Sequence, residues 1–163
     1  MGIDPGSNCT GFGIVEEIKN DLHVVHWSSV RTSPKHSFPQ RLKLIYDELV
    51  LAMEKFHPDV VAVEDLFYAT SVKTVIKLGQ TRGVTLLAAI NCGIELSEYS
   101  PLEIKQSVVG YGRADKNQVC DMVTTLLRLK EKPEPFDASD ALAAAICHIH
   151  HAGLQQKIKQ AQR

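Results

Sequence analysis

Four consecutive apolar residues, Val60-Val61-Ala62-Val63, followed at once by Glu64, constrain this chain more than any other stretch. A strand with one solvated face alternates apolar and polar side chains. A run that is apolar throughout fits a strand covered on both faces, in the middle of a sheet with helices on either side. Ending that strand on a carboxylate delivers an acid to the C-terminal edge of the sheet, where α/β proteins build their sites.

The flanking sequence supplies the other elements. MGIDPGSNCTGFGIVEE reads as a short strand through Ile3 and Asp4, a turn on Pro5 and Gly6, and a second strand from Gly11 to Glu17. Asn20-Asp21 turns the chain into a third strand, Leu22 to Arg31, which completes an antiparallel meander. Ser37-Phe38-Pro39-Gln40 has the form of a capping box with proline in the first turn. The helix it starts carries Leu42, Ile45, Tyr46, Leu49, Met53 and Phe56 as one apolar stripe and stops at His57-Pro58.

A long helix is predicted from about Ser71 to Asn91, with Gly79 and Gly83 four apart. That spacing suits either close packing of two helices in one core or a self-association face. Ile94 to Tyr99 alternates like a strand, and Ser100-Pro101-Leu102-Glu103 caps a short helix that Gly110 and Gly112 break. Asp115 caps a further helix to about Leu129, Pro133 and Pro135 mark a loop, and the last helix starts near Asp137. The expected fold is α/β: a mixed five-stranded sheet, three antiparallel strands plus parallel strands, flanked by helices. The first strand lies beside the fourth, so that Asp4 and Glu64 are neighbours. One core is expected over residues 1–152, with 153–163 a polar tail too poor in apolar surface to hold itself down.

Composition excludes little. With 44% hydrophobic and 23% charged residues the chain has the make-up of an ordinary globular protein, and neither a spanning segment nor a signal sequence is visible, so a cytoplasmic location is expected. Cys9, Cys92, Cys120 and Cys147 lack CxxC spacing and read as free thiols. Cys147, His148, His150 and His151 share a helix end, but histidine is favoured there by the helix dipole, and no second ligand pair accompanies them. A net charge of −1 hides the distribution, because setting aside Asp4, Glu64, Asp137 and Asp140 turns the remainder net positive.

Those four acids carry the chemistry. Asp4 sits inside an apolar strand, Glu64 ends another, and Asp137 and Asp140 lie three apart in the first turn of the last helix. A carboxylate on a buried strand must be paired or must coordinate a cation, and Glu64 is followed by Asp65, a further acid. Oxygen donors suit Mg²⁺, with Mn²⁺ as a substitute. Such a cluster supports a two-metal hydrolysis of a phosphodiester, with ions about 4 Å apart. Asp4 would bridge the ions, Glu64 bind one and Asp140 the other, and Asp137 complete the set or assist proton transfer. Singly, each has a plainer reading: Asp137 as a helix-capping acid, Asp4 as a residue of an Asp-Pro-Gly turn.

The strings GIDPGSNCTGFGIV, QRLKLIYDELV, VAVEDLFYA, KLGQTRGV, IKQSVVGYGRADKNQV and FDASDALAAAI, in that order and spacing, resemble the blocks of the RuvC Holliday-junction resolvases, to about Ile149. The resemblance implies an RNase H-like fold of the retroviral-integrase superfamily, a homodimer, and a RuvA–RuvB branch-migration partner. The implied reaction is resolution of four-way junction DNA, in recombination and repair, by paired nicks leaving 5′-phosphate and 3′-hydroxyl ends. It assigns catalytic metal binding to Asp4, Glu64, Asp137 and Asp140. By the same resemblance Phe67 stacks on a base, where plain core packing is the alternative, and Lys105 and Lys116 face phosphates. Arg113, kept as a DNA-binding candidate, is basic by position only, as are Lys73, Lys77 and Arg82, for which a solvated face is the simpler reading.

Three other readings compete. Actin-like and sugar-kinase ATPases share the opening strand-turn-strand but need a second domain that 163 residues do not accommodate. A YqgF-type RNA-processing nuclease lacks the GQTRGV and VVGYGRADK blocks. A junction-binding module without activity would not need all four acids.

Overall fold

A computed structural model of the chain describes residues 1–65 and 71–161. In chain order the elements are β1 (Gly2–Asp4), β2 (Cys9–Ile18), β3 (Asp21–Arg31), α1 (Phe38–Phe56), β4 (Val60–Glu64), α2 (Val72–Asn91), β5 (Glu95–Tyr99), α3 (Pro101–Val109), α4 (Lys116–Leu126) and α5 (Phe136–Ala161). The strands form one sheet in the order β3-β2-β1-β4-β5. β1 to β3 are antiparallel, while β4 runs parallel to both β1 and β5. The five-stranded mixed sheet and the β1–β4 pairing are as expected from the sequence.

The apolar run of β4 is buried from both sides. Val61 and Val63, fully buried, point with Ile3 into a core closed by Ile45, Leu49 and Met53 of α1 and Ala88 and Ala89 of α2. Successive strand residues alternate faces, so Gly2, Asp4, Ala62 and Glu64 point the other way, towards α5. A second core fills that side, built from Ile104 and Val108 of α3, Val119 and Val123 of α4, and Leu142 and Ile146 of α5.

Helix α5 lies between the sheet and the α3–α4 pair. From Ala138 to Cys147 every residue is buried except Asp140, the pattern of a helix covered all round. Small residues on the sheet set its distance. A Cβ at Gly2 would collide with the Ala141 carbonyl, and one at Gly11 with the carbonyl of Asp137, so both positions must lack a side chain for the helix to close down.

The capping residues read from the sequence act as such. Ser37 with Gln40, Ser100 with Glu103, and Asp115 with Gln118 all form capping boxes. Two features differ from the sequence reading. The buried position one turn before Ile45 is Arg41, not Leu42, because Arg41 turns inward to bind the β1–β2 turn. Helix α5 also continues through Gly153 to Ala161, although the residues described beyond 153 are solvent-exposed. No helix among the described residues is long and apolar enough to cross a membrane.

Candidate active site

The sheet and α5 bring three of the four expected acids to one cleft. Asp4 is paired in register with Gly11 at the end of β1, and Ile3 beside Val63 sets it next to Glu64 on β4. Asp140 enters from the first turns of α5. A cleft of about 300 Å³ is lined by Asp4, Glu64, Asp65, Asp140, Lys105 and Lys116, among others. Asp137 does not line it: its Oδ1 lies over the turn after β1, at 3.7 Å from where a Cβ on Gly6 would stand.

The backbone around the acids is tied down. Arg41, buried in α1, donates from Nε to Thr32 Oγ1 at 2.9 Å, from Nη2 to Asn8 Oδ1 at 2.6 Å, and to the Ser7 carbonyl. Thr10 Oγ1 donates to the Gly6 carbonyl at 2.8 Å. These bonds fix the turn that follows Asp4. Past Glu64, the Asp65 N–H donates to the Tyr99 carbonyl at 2.8 Å, continuing the β4–β5 ladder. Tyr99 in turn shares a 2.9 Å hydrogen bond with His148 of α5, tying strand to helix.

The acids repel one another. Burial pushes the Asp4 carboxyl up to about 8, and the charges of Glu64, Asp140 and Asp137 add to it, against the opposing pull of Lys116. Glu64 is raised to about 7, by burial first and then by Asp140, with Lys116 and Lys105 opposing. Lys116 Nζ stands 2.8 Å from Asp140 Oδ2. Burial works against that ammonium, but its hydrogen bond to Asp140 and the charges of Asp140, Asp4 and Asp137 hold it above the usual lysine value. Carboxylates raised in this way by burial and mutual repulsion are ones whose ionised form a bound cation would stabilise.

Oxygen donors without histidine or thiolate match a hard divalent cation such as Mg²⁺ or Mn²⁺. As the side chains stand, no group of three or more His, Cys, Asp or Glu among the described residues is gathered around a common point. Compensation comes instead from Lys116 on Asp140. Asp4, Glu64 and Asp140 on the cleft wall are the oxygen donors of the kind that would hold a hard divalent cation. The histidines near the middle of α5 are engaged otherwise, His148 with Tyr99 and His150 Nδ1 with Ser107 Oγ at 3.1 Å.

The other candidates divide. Lys105 and Lys116 line the cleft. Arg113 is exposed and does not line it. Arg82 pairs with Asp65 at 3.2 Å and with Glu98, so it braces the end of β4 and is not a solvated charge. Lys77 lies over the Phe38 ring at 5.6 Å, and Lys73 is exposed. Phe67 falls outside the described residues. The sequence reading missed Arg41 and the close-approach glycines. Gly2 two residues before Asp4 was their signal, with Gly11 and Gly13 alternating on the paired strand.

Comparison with known proteins identifies the family and the fold. The family profile of crossover junction endodeoxyribonuclease RuvC matches residues 1–148. A crossover junction endodeoxyribonuclease RuvC from Alkaliphilus oremlandii is 46% identical over 159 residues, 98% of this chain and 97% of that protein. The solved structure of Thermus thermophilus RuvC in complex with Holliday junction substrate superposes with a TM-score of 0.88 at 34% identity, over 94% of both chains. A yeast mitochondrial Holliday junction resolvase, Ydc2, shares the fold at 15% identity, with a TM-score of 0.66 over 91% of this chain and 76% of its own. The architecture is thus the RNase H-like one anticipated from the sequence.

Proposed function

Because this chain belongs to the RuvC family of crossover junction endodeoxyribonucleases, we propose that it is a hydrolase that resolves four-way DNA junctions by paired nicks, leaving 5′-phosphate and 3′-hydroxyl ends. The observation that carries the reading is the convergence of Asp4, Glu64 and Asp140 on one cleft walled by Lys105 and Lys116. Carboxylates for a cation and ammonium groups for a phosphate backbone then lie side by side. A YqgF-type nuclease, an ATPase and an inactive binding module are not favoured, since the family match runs from residue 1 through 148.

Asp4, Glu64 and Asp140 are the residues that would hold Mg²⁺, with Asp137 beside them as a further donor or proton acceptor. Bound divalent cations supply an acidified water and neutralise charge developing on the scissile phosphate. Asp4, on the short central strand, is held by the β1–β2 and β1–β4 ladders and by the turn that Arg41 secures. Glu64 is fixed by the end of β4. Lys105 and Lys116, on α3 and α4, carry charge to a phosphate at the rim, which sets affinity without reading sequence. Phe67, as an aromatic stacking on a base near the crossover, and Arg113, as a basic contact, complete the DNA-binding candidates.

Two cuts across a two-fold junction call for two sites related by the same symmetry, so the working form is a homodimer. The stripe on α2 made by Val72, Ile76, Gly79, Gly83, Leu87 and Ile90 is exposed, and nothing lies within 4 Å of a Cβ built on Gly83. Of the two readings of the Gly79–Gly83 pair, this favours self-association, with α2 meeting its copy at close range.

The test is incubation with a synthetic four-way junction and Mg²⁺, beside linear duplex, RNA–DNA hybrid and ATP. Symmetric paired nicks confined to the junction are expected. Cleavage of the hybrid alone, loss of ATP, or binding without cutting would overturn the reading.

A further inference from the structure

Lys116 does more in this structure than line a phosphate-binding wall. It is the first residue of α4, set there by the Asp115 capping box, in which the Gln118 N–H donates to Asp115 Oδ1 at 3.0 Å and the Asp115 N–H to Gln118 Oε1 at 2.9 Å. The helix is anchored through Val119 and Val123, both buried, so its packing does not depend on the lysine stem. Its Nζ reaches across to Asp140 Oδ2 at 2.8 Å. The two partners differ in freedom: the Lys116 side chain is 66% exposed and the Asp140 side chain 16%. Lys105 lines the same cleft but takes part in none of the ion pairs seen among the described residues.

We propose that Lys116 is an internal counter-cation, holding Asp140 while no divalent cation is bound and surrendering it when one enters. The inference rests on reading the acidic cleft as a cation site. An unrelieved cluster of buried carboxylates would be costly. A single ammonium on a flexible four-carbon stem relieves part of that cost and is readily displaced by a divalent ion, which compensates two charges. Displacement leaves the ammonium at the cleft rim beside Lys105, so cation entry also adds a positive charge to the surface facing the DNA backbone.

The experiment is Mn²⁺ binding to the full chain without DNA, followed by the EPR signal of the free ion, at about pH 9 so that protons do not compete. Lys116→Met should bind Mn²⁺ about tenfold more tightly than the wild type, the scale of losing one charge-assisted hydrogen bond. Lys105→Met gives the through-space effect of removing a nearby charge and should change affinity much less. Adding Asp140→Asn should abolish the gain from Lys116→Met, since the competition is for that carboxylate. Lys116→Gln serves as a second variant if the first is poorly folded. Equal affinity in wild type and both Lys116 variants, a weaker affinity in the variants, or an equal gain from Lys105→Met overturns the counter-cation role while leaving the cation site intact. Absence of saturable Mn²⁺ binding in every form overturns the cation-site reading, and this inference with it.

Discussion

Asp4 faces Gly11 across the β1–β2 ladder, and the absence of a side chain on Gly11 lets the backbone of Asp137 rest on the strand that pairs with the acid. One hydrogen atom in place of a methyl group thus decides how near the first two turns of α5, with Asp137 and Asp140, come to the central carboxylate. Fold and site are coupled at that point.

Gly11→Ala should therefore cost about 1–3 kcal/mol of stability, as overpacking does, and should reduce cleavage more than junction binding. Urea unfolding beside junction-cleavage and binding assays separates the two effects. A Gly11→Ala protein with wild-type stability and activity would mean that the helix has room to shift.

Asp4→Asn or Glu64→Gln should reduce junction cleavage on the order of 1000-fold while leaving junction affinity within a few-fold, because affinity comes from basic contacts with phosphates. Gel-shift and cleavage assays on the same preparation check this. Equal loss of binding and of cutting would count against a catalytic role for these acids.

Much of this was legible in the sequence because it rested on local rules. The apolar run ending on Glu64 gave a central strand, and the Ser37, Ser100 and Asp115 boxes gave three helix starts. Asp4 and Glu64 stood out as acids where apolar residues belong. What stayed hidden depends on contacts distant in sequence. Arg41 looks like a surface arginine until Ser7, Asn8 and Thr32 are folded onto it. Arg82 looks solvated until β4 and β5 bring Asp65 and Glu98 to it. Gly2 and Gly11 acquire their meaning only from a helix more than a hundred residues later. The extension of α5 past Gly153 was hidden for another reason: a glycine in a helix costs only about 1 kcal/mol, too little to stop one that long.

Without divalent cations the fold should lose stability as pH rises. The Asp4 and Glu64 values lie at about 8 and about 7, above those of unfolded carboxyls, so their contribution is complete below about pH 4 and is lost as pH passes through the folded values. In EDTA the melting temperature should fall on the order of 5 °C between about pH 5 and about pH 9, and Mg²⁺ should restore it at the upper end. Asp4→Asn should flatten the decline. Wild-type stability in EDTA that is constant or rising over this range would contradict the charge repulsion described for the cleft.

If the proposed homodimer forms through α2, Leu87→Glu combined with Ile90→Glu should turn it into a monomer, since both residues are more than half exposed on the apolar stripe of that helix. Sedimentation velocity reads the change directly, and paired nicking should give way to isolated nicks or none. A double variant that remains dimeric would place the contact elsewhere.

The central claim is that Asp4, Glu64 and Asp140 together form the seat of a divalent cation, and a crystal soaked in Mn²⁺ tests it most directly. An anomalous peak about 2.1 Å from carboxylate oxygens of Asp4 and at least one of its two partners, with Lys116 Nζ withdrawn from Asp140, is the predicted result. A cleft without a peak, Lys116 still on Asp140, or metal bound only at the histidines of α5 would contradict it.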